Sequence, residues 1–223
     1  EELDLQKNND LLDITLGNQT NIKSLDLNKN QNLINIDLGN QSKLISLNVG
    51  GSIESLAGDL PELSELDVSN SNLSQLNLTN AVKIKTLLAN STKISTLDAS
   101  SYSSLEVLNL SDCNELDNNV NPILLPNSSK LVDFDITNSS INSANLGNLF
   151  IELDSLTLDY DSVKNFRYTG TARRPNTADQ SFKELEKTGW IVTPNEPTLD
   201  VYDKIQPSEK PIITRQELFE SKE

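Results

Sequence analysis

The sequence predicts a mainly β solenoid of short stacked coils, with strand-like segments on both faces and a small C-terminal α/β cap and linker. Three observations predict it. A phrase of the form L-x-x-L-x-L recurs along most of the 223 residues. Successive copies mostly begin ten or eleven positions apart. No helical period of about 3.6 residues persists across the array.

The phrase is clearest at Leu63-x-x-Leu66-x-Val68 and Leu73-x-x-Leu76-x-Leu78. Its first position falls at Leu11, Ile22, Leu33, Leu44, Ile53, Leu63, Leu73, Ile84, Ile94, Leu105, Leu131, Ile141, Leu153 and Val163. The last two apolar positions lie two apart, as on one face of a short strand. The first reaches the same interior from the bend before the strand. Asn, Ser, Gly and Asp cluster after each phrase, where the chain turns and side chains can satisfy backbone groups. From Leu63 through Leu73, Ile84 and Ile94 to Leu105 the shorter and longer steps alternate. The unit is therefore about 21 residues with two similar halves, and each coil is a flattened ring with a Leu-filled interior. One coil cannot bury its own faces, so coils must stack. The phrase at Ile53 is degenerate, with Gly58 in the third slot.

These phrases make the chain resemble a leucine-rich repeat protein, in the short-unit form similar to bacterial cell-surface proteins, from Leu11 to Tyr168. The family's asparagine, eight positions after the first Leu, is matched by Asn30 but replaced by Gln41, Ser71 and Ala81. Hydrogen bonding at the coil edge must then be shared among neighbouring Asn, Ser and Thr. About seven coils give a rod of roughly 35 Å at the spacing of paired strands.

Stacked coils need covered ends. Glu1 to Asp10, with Leu3 and Leu5, reads as an incomplete half-coil opening a 1–168 solenoid. Residues 169–193 contain "NTADQSFKELEKTGWIV", a short helix with Phe182 and Leu185 on one face, a stop at Gly189, and a strand that lays Trp190 over the last coil. Residues 194–223 hold Pro194, Pro197, Pro207 and Pro211 and end in a capping-box pattern at Thr214, a linker opening a further element.

Met is absent, even at position 1, so the chain is expected to be a fragment or processed product, with signal and anchor out of view. No His occurs and Cys113 is the single Cys, which removes His-dependent catalysis, Cys/His zinc sites and internal disulfides. Net charge is −15. All of it lies in residues 1–163, where acidic side chains far outnumber Lys and Arg is absent, while residues 164–223 balance the two signs. An acidic body is repelled by phosphate backbones and anionic lipid, so neither nucleic acid nor direct membrane insertion is expected. No cofactor is expected.

Between the apolar strand positions lie outward ones. On one face these include Glu65, Asp67, Leu88, Asn90, Val107, Asn109, Asp133 and Asp135, a ladder on the side where the resembled family generally binds ligands. Leu88 and Val107 are apolar at outward positions of adjacent coils, a candidate contact patch. Asp26-x-Asn28-x-Asn30 begins like a calcium loop, but Gln31 stands where Gly is needed and the register puts Asp26 in a strand. Asp133 and Asp135 share a face, as paired catalytic carboxylates would, but acidic and apolar residues alternate throughout the array. The long step from Leu105 to Leu131 carries an insertion, Ser111 to Lys130, that either loops out for recognition or fills a coil with Ile123, Leu124 and Leu125. The N-x-S/T sequons, as at Asn90 and Asn109, follow from Asn-, Ser- and Thr-rich composition.

The expected function is non-catalytic: a binding module at the cell surface or outside the cell, holding a protein or glycan partner on a solenoid face. The alternative is a rigid spacer or a virion or cell-surface assembly component whose contacts come from the C-terminal segment, where Arg173 and Arg174 lie.

Overall fold

The computed structural model of the chain describes residues 2–18, 21–116, 121–158, 164–168 and 190–194, with Leu185 and Lys187. The phrase expected at Val163, most of the cap (Phe182 and Gly189 included) and the linker beyond residue 194 lie outside the described residues.

The fold is a parallel β-solenoid. One face is a nine-stranded parallel sheet built from β1 (Glu2–Asp4), β3 (Ser24–Leu27), β5 (Ser46–Val49), β7 (Glu65–Asp67), β9 (Thr86–Leu88), β11 (Val107–Asn109), β14 (Asp133–Ile136), β16 (Lys164–Tyr168) and β17 (Trp190–Pro194), in that spatial order. Among the described residues the opposite face carries four two-stranded pairs. These are β2 (Asp13–Thr15) with β4 (Asn35–Asp37), β6 (Ser55–Asp59) with β8 (Gln75–Thr79), β10 (Leu97–Asp98) with β12 (Ile123–Leu124), and β13 (Ser128–Ser129) with β15 (Thr157–Leu158).

In the large sheet Leu3, Leu25, Leu47, Leu66, Leu87, Leu108, Phe134, Phe166 and Val192 stand in register, each on the next coil. Leu25 to Phe166 in this column are buried, as are the first-position Leu33, Leu44, Ile53 and Leu63. The L-x-x-L-x-L reading holds because a period of two is what a strand face demands, and each additional coil hides the Leu row of the one before.

The chain turns at left-handed corners. Gly51 (φ +79°), Asn70 (+57°), Ser91 (+57°), Asp112 (+58°) and Asn138 (+56°) follow β5, β7, β9, β11 and β14. Asn, Asp and Gly tolerate this region best. The corners stack closely: a Cβ on Gly39 (φ +57°) would lie 2.3 Å from the Gly17 carbonyl oxygen.

Inside several corners, the position eight places after the first Leu is buried and polar. Asn30 donates to the Leu5 and Asn8 carbonyls at 3.1 and 2.8 Å. Gln41 donates to the Leu38 and Gly17 carbonyls. Farther along, Ser71, Thr92 and Ser139 donate through their hydroxyls to the carbonyls of Val68, Ala89 and Ile136 at 2.6, 2.8 and 2.7 Å. Cys113 holds the same place, its thiol donating to the Ala89 carbonyl at 3.2 Å. Each side chain donates to a carbonyl at a turn, and some of these carbonyls, such as those of Leu5, Asn8 and Ile136, accept a backbone N–H as well.

The insertion lengthens the coil that runs from Leu108 to its register partner Phe134. Its described part fills the interior with Ile123 and Leu125, which are buried, while Leu124 between them points outward and is exposed, and β12 pairs with β10. Residues 117–120 are not described.

One element departs from the expected half-coils. Where Ile141 opens a phrase that calls for a strand, the chain forms helix α1, Ser143–Ser155. Asn142 caps it, its side chain accepting from the Asn145 N–H at 2.9 Å. Leu146, Leu149, Phe150 and Leu153 are buried, spaced i, i+3, i+4 and i+7 on one helical face. A helix rises about 1.5 Å per residue against about 3.3 Å for a strand, so crossing the same coil takes more residues. The coil from Phe134 to Phe166, which contains α1, is accordingly the longest in the sheet, although the two residues pair on adjacent strands.

Here the Leu interior becomes aromatic. Phe134 and Phe166 stack with centroids 5.1 Å apart, and Phe150 from α1 meets Phe166 edge-on at 5.6 Å and Tyr168 at 5.7 Å. Beyond them β17 joins β16 in register, with Trp190 buried opposite Lys164 and Leu185 buried nearby in sequence. Among the described residues no helix is long and apolar enough to cross a membrane.

Candidate functional site

The outward face of the nine-stranded sheet collects all eight candidate residues. Register aligns Glu65, Thr86, Val107 and Asp133 in one column across β7, β9, β11 and β14. Asp67, Leu88, Asn109 and Asp135 form the next column. Asn90 follows β9 by two positions and accepts a 2.6 Å hydrogen bond from the Ser69 hydroxyl. Glu65 is exposed and the others are partly buried.

Leu88 and Val107 lie on neighbouring strands, but register places them diagonally. Leu88 is flanked by Asp67 and Asn109, and Val107 by Thr86 and Asp133. The apolar patch is therefore two half-buried side chains set within polar neighbours.

Several polar members also hold the strand ends. Asp67, Asn109 and Asp135 each accept from the backbone N–H two positions on, at Ser69 (2.9 Å), Ser111 (2.9 Å) and Thr137 (2.8 Å). Asp26 does the same for Asn28 at 3.0 Å, from within β3. This local turn gives Asp and Asn a structural reason to end each strand, independent of any ligand. Leu88 breaks the column because its side chain cannot accept such a bond.

Asp133 and Asp135 are clasped from the next strand. Arg167 of β16, which pairs with Asp135, reaches Asp133 at 2.7 Å and Asp135 at 2.8 Å. In the sequence both carboxylates look like open ladder positions, and no motif marks Arg167 as their partner. The signal was available: Phe166 and Tyr168 face inward, so Arg167 between them must face out. Partial burial pushes the Asp135 carboxyl up, but hydrogen bonds from Thr137 and Arg167 outweigh it and leave its pKa below the ordinary carboxylate value. The Arg167 pKa is raised: burial opposes its charge, and the two carboxylates more than offset that.

Comparison with family models, curated proteins and solved structures yields no match. The geometry itself offers a broad and mostly polar sheet surface, interrupted by Leu88, Val107 and, on β17 beyond the Arg167 clasp, the exposed Ile191.

Proposed function

We propose that the chain is a leucine-rich repeat module of a surface-exposed protein, bacterial in character, that binds a protein or glycan partner without turning it over. The observation that carries this reading is the gathering of Glu65, Asp67, Leu88, Val107 and Asn109 on three adjacent strands of one sheet face, with Asn90 at the turn just after the middle strand. A preorganised surface loses little conformational freedom on binding. Two half-buried apolar side chains, diagonal to one another and surrounded by polar ones, match the anatomy of a small recognition patch.

The test is a pull-down and a glycan array with wild type and the Leu88→Asp/Val107→Asp double variant, whose folding is checked by circular dichroism. Binding is expected to fall by about tenfold or more, the equivalent of losing one buried anchor. Full binding by a folded double variant would overturn the assignment of this face.

A rigid spacer or assembly component is the second reading. It is favoured by the carboxylates that cap their own strands and by the clasp on Asp133 and Asp135, since those groups already have partners. The two readings separate on whether the isolated solenoid captures a partner at all.

A further inference from the structure

The third polar column, just beyond the strands, is broken at one place. Asn28 and Ser69 stand on either side of Gly50, which has no side chain to place between them. The result is a shallow cavity of about 220 Å³ that reaches Lys29, Asn48, Asp67 and Asn70 on three successive coils. A shortened coil explains it, since the stretch from Leu47 to its register partner Leu66 is the shortest in the sheet.

The notch has a particular chemistry. Its lining consists of carboxamides, a hydroxyl, a carboxylate, an ammonium and glycine, with no apolar or aromatic side chain. Lys29 and Asp67 balance in charge. Elsewhere on the surface many asparagines bond the neighbouring coil, as Asn35 does to Asp13 and Asn40 and Asn80 do to Asp59. Around the notch, Lys29, Asn48 and Asn70 make no side-chain hydrogen bond among the described residues, and Asn28 Oδ1 is buried without a partner. The groups left open to an arriving partner are the Lys29 ammonium and the Asn48 and Asn70 carboxamides, while Asn28 Oδ1 lies beneath the surface.

Resting on the reading of this face as a recognition surface, the geometry points to a subsite for one neutral saccharide unit. Hydroxyl groups both donate and accept, which suits carboxamides that do the same. Charge balance within the notch gives no advantage to an ion, and the chain's net charge of −15 repels acidic sugars. The volume lies below the roughly 300 Å³ at which drug-sized pockets begin, a scale that suits a single ring.

The experiment titrates ¹⁵N-labelled protein with millimolar neutral hexoses and N-acetylhexosamines, then repeats it with Gly50→Val and with Leu88→Asp/Val107→Asp. A Cβ at Gly50 would meet its nearest atoms at 3.5 and 3.7 Å, ordinary contact distances, so the valine plugs the notch without a clash at that atom. Wild type is expected to show shifts at Gly50 and Ser69 and in the side-chain amides of Asn28, Asn48 and Asn70. The plug should weaken sugar binding by about tenfold or more, as expected when one or two hydrogen bonds are lost, with an unchanged melting temperature. Shifts that persist in the plugged protein, or no shift with any sugar, overturn the subsite. A partner captured by wild type and by Gly50→Val but lost in the double variant overturns the subsite and leaves the recognition face standing.

Discussion

At the scale of single residues, the array is governed by which atom can reach a free carbonyl or N–H. Asn30, Ser71, Thr92, Cys113 and Ser139 differ in size and chemistry, yet each takes the buried corner position because each has a donor at the right place. The expected sharing among Asn, Ser and Thr is what the corners use, with Cys113 as an unforeseen member. Burial raises the Cys113 pKa, and the Thr92 hydroxyl lies 3.3 Å from its sulfur. Asp135 makes the residue scale testable. Its folded pKa lies below the ordinary value, so its contribution to stability is present above the unfolded pKa and is lost as pH falls through the folded one. Arg167→Gln removes one of the groups that lowers it. Acid unfolding followed by circular dichroism should then begin at higher pH than in wild type, with little change near neutral pH beyond the lost pair. An unshifted acid limb would mean that Thr137 alone sets the Asp135 pKa.

At the scale of elements, strands and helix do the same task by different routes. A strand half-coil buries alternate residues, whereas α1 buries Leu146, Leu149, Phe150 and Leu153 along a helical stripe. That stripe was legible in the sequence. It was masked because Ile141 and Leu153 also fit the recurring phrase, and a short apolar run does not by itself distinguish the two periods. Tertiary context decides for the helix, since Phe150 fits edge-on between Phe166 and Tyr168. Phe150→Ala should cost about 3–5 kcal/mol, the range for a buried aromatic that leaves a cavity. Ile151→Ala, at a residue 50% exposed on the opposite side, should cost less than about 1 kcal/mol. Urea denaturation of both variants checks this. Equal costs would mean that α1 is not seated as described.

For the whole molecule, each coil is stabilised mainly by its two neighbours, so damage at the centre propagates to both sides. Leu87 is fully buried between Leu66 and Leu108. Leu87→Asp places an unpaired charge there and should abolish the single cooperative transition in thermal unfolding. Asp67→Lys, on the outward face, loses only the bond to Ser69 and should cost about 0.5–1.5 kcal/mol with cooperativity intact. If both variants lose the same stability, the inward and outward assignments are wrong.

By itself the sequence determined the parallel solenoid, its two-faced coil, the inward Leu rows and the outward position of Glu65, Asp67, Leu88, Asn90, Val107 and Asn109. These follow from local period, because one repeated phrase has one way to hide its apolar residues. It did not determine the diagonal offset of Leu88 from Val107, the Arg167 clasp on Asp133 and Asp135, the helix that replaces a half-coil, or the notch at Gly50. Each of those depends on which residue of one coil lies beside which residue of the next. Coil length sets that register, and it varies from the short stretch between Leu47 and Leu66 to the long one between Phe134 and Phe166. A side chain's neighbour across a coil is chosen by how the intervening chain is stored, and only the folded structure carries that information.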